Sequence, residues 1–278
     1  MEKLKISAVT ILYNFDKKII NNIKSYEKYV DEVILIDNSD SQKYYNKYEK
    51  ELKKYTYISM NGNKGIAKAL NEGMEYAIQK GYNWCITFDQ DSYLNNNIID
   101  VYYKYLKQLN DENIVIYSPV YIFDRRKYKK FNGIKELKYV MQSANLVNLE
   151  NFIKIGMFKE DFFIDMVDYE FCLRARKKGY KIISCGEAEI YHNPGITKKS
   201  NIFSIKYGYC SKERIYYQSR NILWTFKKYK DLSILAILMY KLFKILVFFD
   251  NKKEFLKYYF KGISDCKNNR FGVLKDNE

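Results

Sequence analysis

Short apolar runs alternate with stretches of helical spacing through the first half of the chain. Ile6 to Tyr13 (ISAVTILY) reads as a strand. Residues 16–29 space their apolar side chains as a helix does, with Asp16 placed to cap it. Residues 32–37 (EVILID) read as a buried strand, followed by a lysine-rich helical stretch near 42–54 and a short strand near 55–60. A helix over 65–79 breaks at Gly81; 83–88 (NWCITF) reads as a strand, 96–109 as a helix and 113–118 as a strand. Continuous apolar strands separated by helices predict an α/β fold with a mostly parallel sheet covered on both faces.

The pattern then loosens. Residues 119–138 read as a long basic connection and 139–148 as a strand. Residues 167–178 read as a helix stopped by Gly179, and 180–192 as two short strands. After about residue 200 the strand signals stop, and 204–228 and 231–249 read as helices. This divides the chain into a sheet-containing unit, 1–200, and a basic helical appendage, 201–278.

The 278 residues include 47% hydrophobic and 17% aromatic side chains and only two prolines, which excludes a disordered or collagen-like chain. Five cysteines without CxxC spacing and a single histidine argue against a structural zinc site. The N-terminus lacks a long apolar stretch and a small-residue cleavage site, so a cytoplasmic location with reduced thiols is expected. The net charge is +15. Residues 201–278 carry 16 basic and 7 acidic side chains, a net +9, which leaves +6 for the first 200. Such a tail needs an anionic partner or plain solvent. With 29 tyrosines, it raises the competing reading of a nucleic-acid-binding protein. No RRM, helix-turn-helix or zinc-finger pattern supports that, and nucleic acid is not the expected partner.

In an open parallel sheet, ligands bind beyond the carboxyl ends of the strands. Polar residues follow three of them: Tyr13-Asn14, Asp37-Asn38-Ser39-Asp40 and Asp89-Gln90-Asp91-Ser92. No glycine-rich phosphate loop accompanies them; a nucleotidyltransferase, another alternative, would usually place one near the first strand. Asp89 and Asp91, two positions apart on leaving a strand, point the same way and repel unless a cation joins them. Mg²⁺ or Mn²⁺, which prefer oxygen ligands, would suit the pair. A solvated acidic turn has the same local sequence. A second acidic group lies in the apolar run 160–176 (EDFFIDMVDYEFCLRAR), where Asp168 reads either as a first-turn helix acid or as a general base beside a cleft. His192, at a strand end, reads as a structural hydrogen-bonder or as a metal's nitrogen ligand.

Taken in order, ILYN, VDEVILIDNSD, NKGIAKALNEG, FDQDS, GMFKEDFFIDMVDYEFCLRARKKGY and EIYHNPG resemble the family 2 glycosyltransferases, in their bacterial rhamnosyltransferase-like branch. The resemblance covers roughly 6–195 and continues more loosely through RIYYQSRNILW and KGISDCKNNRFG. It implies the GT-A fold, with a Rossmann-like sheet, and inverting transfer of a sugar from a nucleoside-diphosphate donor, dTDP-rhamnose or a UDP-sugar, to a saccharide or lipid-linked saccharide in surface polysaccharide synthesis. Rhamnose is favoured. Residue by residue, it implies Thr10, Tyr13 and Asn14 in the nucleotide pocket and Asp37 with Asn38 on the base or ribose. Asn63, Lys64 and Gly65 match the family's NxG segment near the nucleotide, with Asn71 further along. Asp91 would bind the metal, Asp89 the ribose or metal, and His192 the metal or diphosphate. Asp168 aligns with the catalytic aspartate when Arg174 is placed on the family's arginine, counted here with the donor contacts. Val167 stands where many members carry glutamate, which leaves Asp165 as the second candidate base.

Residues 231–250 are strongly apolar but interrupted by Lys241 and Lys244. Leu232, Leu235, Leu238, Leu242, Leu246 and Phe249 fall on one helical stripe, followed by Lys252, Lys253, Lys257 and Lys261. This reads as an interfacial helix at the inner face of the plasma membrane, or as a helix packed on the domain or on a second subunit of a homodimer.

Overall fold

The computed structural model describes residues 4–40, 51–94, 96–124, 130–192, 195–200 and 205–274. Most of the helical stretch expected near 42–54 lies outside the described residues.

The first half follows the expected order: β1 (Ile6–Leu12), α1 (Lys18–Glu27), β2 (Glu32–Asp37), β3 (Tyr55–Ser59), α2 (Ile66–Gln79), β4 (Trp84–Asp89), α3 (Ile98–Leu109) and β5 (Ile114–Ile122). Then come β6 (Ile134–Glu136), β7 (Leu146–Asn148), α4 (Leu149–Ile155), α5 (Val167–Lys177) and β8 (Lys181–Tyr191). Among the described residues these strands form one eight-stranded sheet, ordered β3-β2-β1-β4-β7-β5-β8-β6. β1 pairs parallel with β2 and β4, β2 with β3, and β5 with β8. β7 runs antiparallel between β4 and β5, and β6 antiparallel along β8.

Alternation along β1 explains the two packed layers. Ile6, Ala8 and Leu12 face a core built with α1 and α3, where Ile23, Tyr26 and Tyr102 are buried. Val9 and Ile11 face the opposite core with α2, α4 and α5. There α2 lies so close that a Cβ on Gly73 would stand 2.6 Å from Val9.

The second half departs from the pattern in three places. The basic connection at 119–138 is partly sheet, since β5 runs on to Ile122 and β6 takes the edge. The two strand signals in 180–192 are two halves of β8, on either side of an irregularity where the partner of Ser118 is Ser184 but that of Val120 is Glu189. Past residue 200 there is still a strand: β9 (Ile196–Lys199) pairs with β10 (Lys206–Tyr209). β10 is fixed by tertiary contact, with Tyr207 stacked on Phe248 at 5.1 Å and Tyr209 packed on Phe249.

Three helices close the chain: α6 (Lys212–Tyr229), α7 (Leu232–Phe248) and α8 (Lys252–Lys267). α6 starts later than expected, at the Ser211 cap, and α8 occupies a segment legible in sequence only as a basic flank. Ile215, Ile222, Ile234, Leu238 and Ile245 share one apolar core with Val9, Ile34 and Phe171, so no gap in packing separates these helices from the sheet.

Candidate active site

The tips of β1, β2 and β4 are laced together. Asn14 sits at φ +43°, a left-handed conformation that asparagine tolerates. Its backbone N–H donates to Ser39 Oγ (2.8 Å) and its side-chain amide to Asp40 (3.2 Å). The Tyr13 hydroxyl donates to Asp40 (2.9 Å) and its N–H to Gln90 Oε1 (2.8 Å). Asp37 accepts from the Ser39 N–H (2.9 Å) and from the Tyr57 hydroxyl, a partner the sequence did not reveal. Asn38 reaches the next loop, donating to Asn63 Oδ1 (3.1 Å) and accepting from the Lys64 N–H (2.7 Å). Asn63 Oδ1 also accepts from the Gly65 N–H (3.0 Å). Lys64 is exposed. The structure thus brings Tyr13, Asn14, Asp37, Asn38, Asn63, Lys64 and Gly65 onto one polar rim.

Three other residues assigned to the donor by resemblance are occupied elsewhere. Thr10 shares the parity of Ala8 and Leu12; its hydroxyl is fully buried and bonded to Tyr26 (2.9 Å). Asn71 clamps Phe158, donating to its carbonyl and accepting its N–H, both at 3.0 Å. The Arg174 guanidinium holds the Glu170 carboxylate and the carbonyls of Ile155, Gly156 and Met157, tying α5 to the end of α4. All three act as braces for the elements that carry the site.

At the end of β4, Asp89, Asp91 and His192 each offer one ligand atom, and these atoms lie within 4.8 Å of one another. His192 Nε2 is 4.0 Å from Asp89 Oδ2. Burial, and then the charges of Asp91 and Asp168, push Asp89 up to about 7, against the pull of Arg214. Acidic charge gathered without full compensation, with two oxygens and a nitrogen converging, fits a divalent cation.

Asp168 lies in the first turn of α5, its Oδ1 accepting the Tyr169 N–H (2.9 Å). Burial raises it to about 6, helped by the charge of Asp165 and opposed by backbone N–H groups of Tyr169 and Gln142. Asp165 is different. Burial would raise it too, but Arg214 outweighs that, donating to both its oxygens (3.1 and 2.7 Å), and its pKa ends below the usual range. A carboxylate ion-paired in this way is a weak proton acceptor, which favours Asp168 over Asp165 as the base.

The loop before α5 has a demanding shape. Phe163, Asp165 and Met166 all have φ between 63° and 68°, in the left-handed region. Residues far along the chain hold it there. The Asn221 amide donates to the carbonyls of Phe162, Ile164 and Asp165 (3.0, 2.9 and 2.9 Å). The fully buried Arg220 donates to those of Asp161 and Phe162 (3.2 and 3.1 Å). On the other side, the Phe163 carbonyl accepts the Ile66 N–H (2.7 Å), and a Cβ on Gly65 would stand 2.6 Å from the Phe163 ring. The Asn63–Gly65 segment and the Asp168 loop are therefore in direct contact.

Several site residues escaped the sequence reading. Arg214 and Gln218, which donates to Asp165 (3.3 Å), come from α6; the RIYYQSRNILW match was the only signal for them. Tyr121, near both Asp89 and Asp168, packs on the His192 ring at 5.9 Å and donates to the Met141 and Ser143 carbonyls. Gln142 Nε2 and Gln218 Oε1 are buried polar atoms without a protein partner.

The sequence model of glycosyl transferase family 2 matches residues 7–176. The chain is 32% identical over 246 residues to the dTDP-rhamnosyl transferase RfbF of Shigella flexneri, covering 80% of each protein. It is 23% identical over 215 residues to the low-salt glycan biosynthesis hexosyltransferase Agl10 of Haloferax volcanii, covering 68% of this chain and 67% of that one. Among solved structures, it resembles GalNAc-T7 with UDP, GalNAc and Mn²⁺ (TM-score 0.59, 15% identity), covering 82% of this chain and 50% of that one. It also resembles S. aureus TarS 1-349 in complex with UDP-GlcNAc (TM-score 0.55, 15% identity), covering 94% and 72%. The fold is GT-A. This chain belongs to glycosyl transferase family 2 and is a glycosyltransferase. Nothing in these matches supports a nucleic-acid-binding protein or a nucleotidyltransferase.

Proposed function

We propose that the chain is an inverting hexosyltransferase that moves rhamnose from dTDP-rhamnose to a saccharide acceptor, free or lipid-linked, in polysaccharide synthesis at the cytoplasmic face of the plasma membrane. The 32% identity to a dTDP-rhamnosyl transferase supports the donor, and five free cysteines suit a reducing compartment. The observation that supports the mechanism is the nearness of unlike carboxylates: an acidic corner of Asp89, Asp91 and His192, and Asp168, raised to about 6 and close enough for its charge to act on Asp89.

On this reading the polar rim from Tyr13 to Gly65 receives the nucleoside, and the exposed Lys64 lies towards the diphosphate. Asp89, Asp91 and His192 would hold Mg²⁺ or Mn²⁺. Such an ion supplies a Lewis acid for the charge on the departing diphosphate. Asp168 accepts the proton of the acceptor hydroxyl as its oxygen attacks the anomeric carbon. A base with a pKa near 6 is ionised at neutral pH yet more basic than an ordinary carboxylate. Attack opposite the leaving group, in a single displacement, inverts the anomeric centre, by the same geometry as in inverting glycosidases.

A thermal-shift screen of nucleotide sugars with and without Mn²⁺, followed by NMR of the transfer product, tests the reading. dTDP-rhamnose should raise the midpoint more than UDP-sugars do, by mass action, and the product should be inverted. A shift with UDP-sugars alone would replace the donor. Retention at the anomeric carbon would remove Asp168 as the base for a single displacement.

A further inference from the structure

The two lysines that interrupt the apolar run of α7 do not interrupt its exposed face. Lys244 is buried, its ammonium donating to the Gly208 carbonyl (2.8 Å) and lying 5.4 Å from the Phe249 ring. Lys241 is half-buried on the side of the active site, where its charge helps to hold Asp165 ionised. What α7 turns outward is Leu232, Ala236, Met239, Tyr240, Phe243 and Leu246, an i, i+4, i+7 series with no polar atom except the Tyr240 hydroxyl. The five larger side chains are 47–74% exposed. The stripe expected from sequence is therefore rotated, because Leu238 and Phe249 lie in the core.

Exposed lysines stand at both ends of this face: Lys227, Lys228 and Lys230 before it, and Lys252, Lys253 and Lys257 after it. On α8, Lys253, Lys257 and Phe260 continue an outward face at helical spacing, with Phe260 55% exposed. Among the described residues no helix is long and apolar enough to cross a membrane. An apolar helical face with basic ends has the make-up of a segment lying in the plane of a lipid interface. A second copy of the chain is the poorer occupant, because a symmetric contact would bring the same lysines together.

We infer that the α7 face, with the lysines at its ends, is a docking surface for an anionic lipid bilayer. Since α7 packs on α6, which holds the Asp165 loop through Asn221 and Arg214, docking would set the active site beside the headgroups, where a lipid-linked acceptor presents its sugar. That last step rests on the proposed function; the lipid contact does not.

Flotation of the full chain with phosphatidylcholine vesicles, with and without phosphatidylglycerol, tests the contact. The chain should partition about tenfold or more in favour of the anionic vesicles. Met239→Ser with Phe243→Ser should reduce that binding about tenfold or more. Lys253→Glu with Lys257→Glu should erase the preference between the two vesicles. A midpoint shift with dTDP, measured on every variant, reports folding and the donor site separately. Equal flotation of wild type and the double-serine variant overturns the inference. So does a wild type that ignores anionic vesicles while the serine substitutions dissolve a dimer seen by light scattering. Vesicle binding intact in a protein that ignores dTDP and dTDP-rhamnose would sink the donor assignment and leave the docking surface standing.

Discussion

Along the tips of β1, β2 and β4, polar side chains are held by neighbours within the same cluster of loops, as Asn14 is by Ser39 and Asp40, and Asn38 by Asn63 and Lys64. The loop before α5 is held instead by Asn221 of α6, 56 to 59 residues further on, and three of its residues have left-handed φ values. The rim is held by contacts among loops next to the paired strands. The loop before α5 depends on contacts with the C-terminal helices. Its two aspartates, three positions apart, also diverge: Arg214 holds Asp165 ionised, while Asp168 is pushed towards neutrality by burial. The contrast suits a rim that recognises a ligand and a loop that must keep one carboxylate basic.

The sharpest way to break this contrast is Asp168→Asn. It should lower kcat about 10³-fold while leaving the dTDP midpoint shift intact, since a positioned general base contributes about 10²–10⁴-fold. Lost dTDP binding would merge the two halves into one. Removing divalent ions with EDTA should come next, with a loss on the order of 10²-fold in kcat/KM that added Mn²⁺ restores in wild type but not in Asp91→Asn. Restoration in both would take Asp91 out of the ligand set.

Asn221→Ala tests whether the distant helix holds the loop. It removes the Asn221 donor from three carbonyls, of which Phe162 keeps Arg220, so stability should fall by about 1–3 kcal/mol in chemical denaturation. In the folded fraction kcat should drop more than donor KM rises; the opposite split would mean that the amide serves the rim. The smallest effect concerns pH. With Asp168 ionising at about 6, kcat should fall towards acid with a limb near that value, because the protonated carboxyl cannot accept the acceptor's proton. Asp165→Asn removes a negative charge that raises Asp168 and frees the positive charge of Arg214. Both changes favour ionised Asp168, so the limb should move to lower pH with activity retained. Abolished activity would instead make Asp165 the base.

Much of this protein was legible in its sequence because strands and their tips are local objects. The β1 to β5 order could be read from apolar runs and helical spacing, and the polar tips of β1, β2 and β4 from the residues just past each strand. Asp89, Asp91 and His192 were visible as residues with metal-ligating chemistry; their approach within 4.8 Å was not, because His192 arrives just past β8, a hundred residues later. Parity along β1 places Thr10 with Ala8 and Leu12, yet its turn away from the rim became plain only once Tyr26 stood opposite. Asp165 and Asp168 look alike in the chain, and Arg214 above all, with Lys241 and Gln218, separates them. The sequence determined which side chains lie on strands and at their ends, because that depends on periodicity and neighbours. Tertiary structure decided which carboxylate stays basic, which lysines of α7 turn inward and which face of that helix meets solvent, because each depends on groups brought together from distant parts of the chain.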